Sequence, residues 1–205
     1  MTPILVGALT IGIVVWSFWE SDLSEEVLEA AIRTPDGGGY SGLTGSGVSK
    51  PINFKNIQIL PAAKDGRYCC GFTLEVFMEV ANRHGLLNDR EPWEIAQLQK
   101  EWYGIPKHAR WRQMVEAMER VDVGHEVSLD QAKAGDFALF SRPGSGHSVI
   151  LLGVVRRGDE IVGIKYRSAQ PSTQGVGDCV EYFLESGIDG GSILLNTLFV
   201  GRLTG

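Results

Sequence analysis

The fold is decided by residues 68–85, which read YCCGFTLEVFMEVANRHG. Apolar side chains in this stretch recur at helical spacing and form a wide face: Phe72, Val76, Phe77, Val80 and Ala81. The polar side chains form a narrow stripe: Glu75, Glu79, Asn82 and Arg83. Gly85 is a typical C-terminal stop. The pattern predicts a largely buried helix over residues 70–84, with other elements packed around it.

Shorter helical patterns lie on both sides of this helix. Upstream, Asp22 and Glu25 have the spacing of a capping box, and Pro35 ends the helix that follows. Downstream, residues 93–102 and 110–121 also have helical spacing. The last of these stretches carries an apolar stripe: Trp111, Met114, Val115, Met118 and Val121.

From residue 136 onward the pattern is that of β-strands. Strand-like runs are separated by Gly, Asp and Pro at residues 136–141, 147–155, 161–168 and 193–200. Residues 155–161 predict a hairpin turn between the second and third runs. Helices first and a strand meander afterwards indicate an α+β fold, with the helices packed on an antiparallel sheet.

The composition fits one globular domain and argues against one class of binding partner. The chain has 205 residues, of which 43% are hydrophobic and 21% charged. The net charge is −6 and no cluster of Lys and Arg stands out, which argues against a nucleic-acid partner. The cysteines are Cys69, Cys70 and Cys179, an odd number without a CxxC pair. Neither a disulfide framework nor a metal site is therefore expected, and a free thiol is left over.

The N-terminal residues 3–19 form an uncharged apolar run, PILVGALTIGIVVWSFW. The run is short for a bilayer span, lacks a basic start and shows no clear cleavage site. Acidic residues follow it, which suits an exported C-terminal side. We expect export or membrane anchoring through this run, with a buried strand or helix as the alternative. The predicted organisation is a hydrophobic N-terminal segment, residues 1–22, and one domain, residues 23–205, with a helical insertion at about 88–125.

A glycine-rich segment at residues 37–47 reads GGGYSGLTGSG. A phosphate-binding loop needs Lys directly after its last glycine, and Val48 stands there instead. The segment is therefore interpreted as a flexible loop or a cleft wall.

Cys69 is the candidate nucleophile. It lies where a loop enters the buried helix, and the free N–H groups and positive dipole at a helix start stabilise a thiolate. Gly71 is interpreted as keeping the backbone open for a substrate, and the Cys69 N–H could bind an oxyanion. The alternative is that both adjacent cysteines are small buried hydrophobes.

His147 is the candidate general base, because it opens a strongly apolar strand just after a glycine turn. The next strand ends with Tyr166, Ser168 and Gln170 on one face. The Gln170 amide oxygen could accept from the imidazole ring, with Ser168 as the reserve. Alternatively, His147 is a structural residue, and Gln170 and Ser168 hydrogen-bond within a turn.

These residues together resemble the NlpC-type family of cell-wall cysteine peptidases, within the papain-like superfamily. That family has Asp-Cys-Ser-Gly at the start of a buried helix, and here the run is Tyr68-Cys69-Cys70-Gly71. The family then has a Gly-Asp-apolar strand before a histidine strand, matched here by Gly135-Asp136-Phe137 and Gly146-His147. A third polar residue opens the following strand, matched by Gln170. Departures are Tyr68 in place of Asp, a longer stretch between nucleophile and histidine, and a third residue that is not histidine.

The resemblance implies a papain-like fold and hydrolysis of an amide bond, with peptide or peptidoglycan stem peptides as substrate and no cofactor. Cys69 would form a thioester acyl-enzyme with His147 and Gln170 as its partners. Aromatic residues of the helical insertion could wall the cleft or simply pack: Trp93, Trp102, Tyr103 and Trp111. Three alternatives stay open: an acyltransferase or transamidase with the same dyad, a non-catalytic binding module, and a redox switch using Cys69 and Cys70.

Overall fold

The computed structural model describes residues 21–41, 45–104 and 112–205. Within these residues the α-helices come first: α1 (Ser24–Arg33), α2 (Cys69–Arg83), α3 (Pro92–Trp102) and α4 (Gln113–Arg120). All four agree with the predicted helices, although the start of the stretch predicted at 110–121, with Trp111, lies outside the described residues. The apolar run at residues 3–19 also lies outside them. No helix in the described part of the chain is long and apolar enough to cross a membrane.

The described residues form a seven-stranded sheet and a separate hairpin. The strands are β1 (Gly37–Gly38), β2 (Ile52–Phe54), β3 (Ile57–Leu60), β4 (Gly124–Val127), β5 (Phe137–Arg142), β6 (Ser145–Arg157), β7 (Glu160–Gln170), β8 (Gly175–Tyr182) and β9 (Leu194–Leu203). The sheet has the order β1-β8-β7-β6-β5-β9-β4, and β2 pairs with β3. Each pairing between neighbouring strands of the sheet is antiparallel. The α+β class is thus confirmed, with helices and an antiparallel sheet.

The predicted strands correspond to β5, β6, β7 and β9, and residues 155–161 do form the turn between β6 and β7. Strands β4 and β8 and the β2–β3 hairpin were not predicted from the sequence. Strand β8 contains two glycines and few apolar residues, so its sequence gives no strand pattern, and continuous pairing with β7 supplies its structure. Segment 37–47 is likewise not only a loop, because Gly37–Gly38 adds β1 to the sheet edge.

Helix α1 begins one residue later than the capping-box pattern predicts. Leu23 occupies the N-cap position, and the Asp22 carboxylate accepts hydrogen bonds from the Ser24 N–H, at 3.0 Å, and from its hydroxyl. Asp22 therefore caps the helix from the position before the N-cap residue, through its bonds to Ser24. The helix ends as predicted, since Thr34 before Pro35 is extended.

Two apolar clusters lie on opposite faces of the sheet. The helix-side cluster includes Phe77, Trp102, Phe137 and Ile150, and the other includes Phe140, Val149 and Tyr166. Alternation along β6 therefore directs Ile150 toward the helices and Val149 toward the opposite face.

Gly71 has a packing role that differs from the one predicted. A Cβ atom at this position would lie 1.9 Å from the Gly47 carbonyl oxygen, because residues 45–47 pack directly on the first turn of α2. The space beside Gly71 that was predicted to admit a substrate is thus filled by the Gly47 backbone.

Alanine at position 71 is expected to lower the free energy of unfolding by about 2 kcal/mol, because its methyl group must displace the Gly47 carbonyl. Urea denaturation measures the change. Asn82→Ala, on the exposed side of the same helix, is the control and is expected to change stability by less than about 0.5 kcal/mol. Equal stability of the two variants would contradict this packing role.

Candidate active site

Cys69 is the first residue of α2, as predicted, and its N-cap residue Tyr68 makes no side-chain cap. The first bond within the helix runs from the Phe72 N–H to the Tyr68 carbonyl oxygen. The Cys69 sulfur therefore lies at the end of the helix where N–H groups and the positive dipole face outward.

His147 and Gln170 meet across neighbouring strands. Ile150 of β6 pairs with Arg167 of β7, and continuing that register for three residues brings His147 opposite Gln170. His147 Nε2 lies 3.0 Å from Gln170 Oε1. An amide oxygen only accepts, so Nε2 is the donor and Nδ1 of the neutral ring is left to accept a proton.

The Cys69 thiol joins this pair from the helix. Its sulfur lies 3.9 Å from that of Cys70, and the nearby His147 ring and Ser148 N–H also favour the thiolate. These contacts, that with Cys70 foremost, hold the pKa of Cys69 well below its usual value although burial opposes ionisation. Cys69, His147 and Gln170 are only 5%, 5% and 4% exposed. All three predicted site residues are thus brought together in a buried site.

The adjacent Cys70 has the opposite electrostatic character. Its sulfur lies 3.9 Å from that of Cys69, and both thiols are free. The hydrogen bond to Cys69 and burial raise the pKa of Cys70 well above its usual value. These opposite directions favour Cys70 as the neutral donor and Cys69 as the thiolate of the pair.

Replacing Cys70 by alanine is expected to raise the pKa of Cys69, because the thiolate loses its main donor. The pH profile of iodoacetamide alkylation at Cys69, read by mass spectrometry of the peptide, should move to higher pH, with slower reaction at about pH 6. Cys70→Ser keeps a donor and should retain a profile closer to wild type. An unchanged profile in Cys70→Ala would show that Cys70 does not support the thiolate.

A buried polar cluster fixes α2 against β6. Thr73, one turn after Cys69, lies with Oγ1 2.7 Å from Ser148 Oγ, and the Trp102 indole donates to the same Thr73 oxygen at 3.0 Å. The cluster therefore holds the first turns of α2 against the residue that follows His147. Trp102 is therefore a packing residue and not part of a cleft wall.

The reserve candidate Ser168 does not orient the imidazole. Its hydroxyl donates to the Ser148 carbonyl oxygen at 2.7 Å. Of the other aromatic residues of the helical insertion, Trp93 is 70% exposed and Trp111 lies outside the described residues. Tyr103 is half-buried, and its hydroxyl donates to the Ser46 carbonyl oxygen at 2.7 Å.

Three phenols near the thiols were not identified as site residues from the sequence. Burial, and then the charge of Cys69, raise the pKa of Tyr40. Tyr68 and Tyr103 lie edge to face with ring centroids 5.6 Å apart, and burial raises the pKa of both. Tyr40 lies in a glycine-rich segment far from Cys69 in the chain, so no spacing rule connects the two.

Within the described residues, no group of three or more His, Cys, Asp and Glu side chains is arranged to hold a metal ion. Comparison with protein-family models, with curated proteins and with solved structures finds no match for this chain.

Proposed function

We propose that this protein is a papain-like cysteine hydrolase that cleaves an amide bond. The observation that carries the proposal is the buried arrangement of Cys69, His147 and Gln170, with the thiol at a helix start and the ring held by an amide oxygen. A merely structural cysteine in an apolar site would have a raised pKa, whereas the contacts of Cys69 favour its thiolate.

The chemistry follows from these positions. The Cys69 thiolate attacks the amide carbonyl carbon, and the oxyanion that forms is stabilised by the free N–H groups at the start of α2. His147 gives its proton to the leaving amine, the C–N bond breaks, and a thioester remains on Cys69. Water then attacks the thioester while His147 takes its proton, which releases the carboxylic acid and regenerates the thiolate.

The substrate class in this proposal is a peptide, with stem peptides of peptidoglycan as the first candidate. The support is the order of three motifs around Cys69, Asp136 and His147, which resembles that of the NlpC-type family. Export to the cell envelope, suggested by the apolar residues 3–19, belongs to the same proposal.

The test is incubation of the full chain and of Cys69→Ala with purified peptidoglycan and with a peptide library, with the products read by mass. We expect cleavage products that depend on Cys69. Parallel reactions with an added amine separate hydrolysis from transfer, because a transferase gives an amide of the added amine. No Cys69-dependent product in any reaction would overturn the proposal, and activity lost equally in Cys70→Ser would favour the redox alternative.

A further inference from the structure

The Gln170 side chain is held by three neighbours. Its Oε1 atom lies 3.0 Å from His147 Nε2 and 3.1 Å from the Tyr166 hydroxyl, and its Nε2 group donates to Cys179 Sγ. An amide turned by half a rotation fills the same space with its oxygen and nitrogen exchanged. In that form the amide N–H faces His147 Nε2, which must then accept, and the ring proton moves to Nδ1. The imidazole could then no longer take a proton from Cys69.

The Tyr166 hydroxyl distinguishes these two forms. It has a single proton and two acceptors within reach, Gln170 Oε1 at 3.1 Å and Glu181 Oε2 at 2.9 Å. Its oxygen accepts from Arg142 Nη2 at 3.0 Å. When the phenol proton points to Gln170, the amide oxygen must stand there, and the productive orientation follows.

Glu181 accepts three hydrogen bonds besides the one that the Tyr166 hydroxyl offers. Arg142 binds it through Nε and Nη2, each at 2.6 Å, and the Ser192 hydroxyl donates to it as well. The bidentate contact with the Arg142 guanidinium offsets part of the carboxylate charge and so weakens the competition of Glu181 for the phenol proton. Gln170 Oε1, 3.1 Å from the phenol oxygen, is thereby left as an acceptor for that proton.

We propose that Tyr166, with Arg142 and Glu181 behind it, is a positioning residue that fixes the Gln170 amide and thereby keeps the proton of neutral His147 on Nε2. Tyr166 lies edge to face with the His147 ring, at 5.5 Å between centroids, so it also limits rotation of the imidazole. The effect on catalysis rests on the proposed hydrolase function, whereas the tautomer of His147 does not.

The test reads the tautomer directly. Protein labelled with ¹⁵N-histidine, in a Cys69→Ala background at about pH 8.5 where histidine rings are ordinarily neutral, gives long-range ¹H–¹⁵N correlations that identify the protonated nitrogen. We expect His147 to carry its proton on Nε2. A proton on Nδ1 in this background overturns the proposal without any further variant.

Variants of Tyr166 and Arg142 then test whether these residues set the tautomer of His147. Adding Tyr166→Phe, or Arg142→Gln, should give a mixture of tautomers or the Nδ1–H form, while Tyr182→Phe on β8, a matched loss of a phenol hydroxyl, should leave the spectrum unchanged. With Cys69 present, Tyr166→Phe should lower kcat/KM by about 10- to 100-fold, the range seen for partners behind metal-bound histidines. If both variants keep the Nε2–H spectrum, Tyr166 and Arg142 do not fix the tautomer of His147. If the spectrum shows the Nε2–H form but the protein cleaves no amide, the positioning role of Tyr166 stands and the proposed hydrolase function is wrong.

Discussion

Alanine in place of His147 is expected to lower kcat/KM for amide cleavage by about 10³-fold, the middle of the range for loss of a general acid–base group. The ring takes the thiol proton and protonates the leaving amine, and it also contributes to the depressed pKa of Cys69. Steady-state kinetics on the peptide substrate identified by product analysis measure the loss.

The control for this prediction is His84→Ala. His84 follows the last residue of α2, with its Nε2 3.8 Å from Glu26 Oε1. Replacing it by alanine is expected to leave kcat/KM unchanged. If His147→Ala kept activity within a few-fold of wild type while Cys69→Ala abolished it, another group would have to act as the base.

Asp136→Ala, which removes a buried carboxylate, is expected to lower the free energy of unfolding by about 3 kcal/mol, more than Gly71→Ala does. Asp136 is 0% exposed, and Arg202 Nε and Nη2 each donate to it at 2.8 Å. Without the carboxylate the Arg202 charge stays in a mostly buried position with its main partner gone. Chemical denaturation measures the difference.

Two further variants test whether loss of the Asp136–Arg202 ion pair causes the loss of stability. Asp130→Ala, at an exposed position, is expected to change stability by less than about 0.5 kcal/mol. Replacing both partners, Asp136→Leu with Arg202→Met, should recover most of the loss because no buried charge is left. A double variant as unstable as Asp136→Ala would show that the ion pair is not the reason. The Gly-Asp motif of the resemblance thus has a structural role here.

The parts of the fold that could be predicted are those with a local pattern. Helix α2 carries an apolar face of its own, and β5, β6, β7 and β9 carry apolar runs, so their sequences specify them. Strand β8 reads GVGDCVEY and β1 is two glycines, and these become strands only because β7 and then β8 offer an edge to pair with.

The same distinction holds at the site. Cys69, His147 and Gln170 could be selected because each lies at a recognisable position, a helix start or a strand end. Gln170 was preferred over Ser168 from the sequence, and in the structure His147 Nε2 contacts Gln170 Oε1 whereas Ser168 bonds to the Ser148 carbonyl. Arg142 and Glu181 could not be found from the sequence, since they are polar residues on different strands and no periodicity relates them.

The proposed hydrolase function requires Cys69 to be a thiolate supported by His147 before any substrate binds. Thiolates absorb in the far ultraviolet where thiols do not, so a pH titration of wild type minus Cys69→Ala isolates this one ionisation without requiring reagent access. We expect thiolate absorbance to be present already at about pH 6, to be lost on acidification, and to be strongly reduced at pH 6 in His147→Ala. An absorbance that develops only near pH 8.5, the ordinary value for a thiol, in wild type and His147→Ala alike would contradict it.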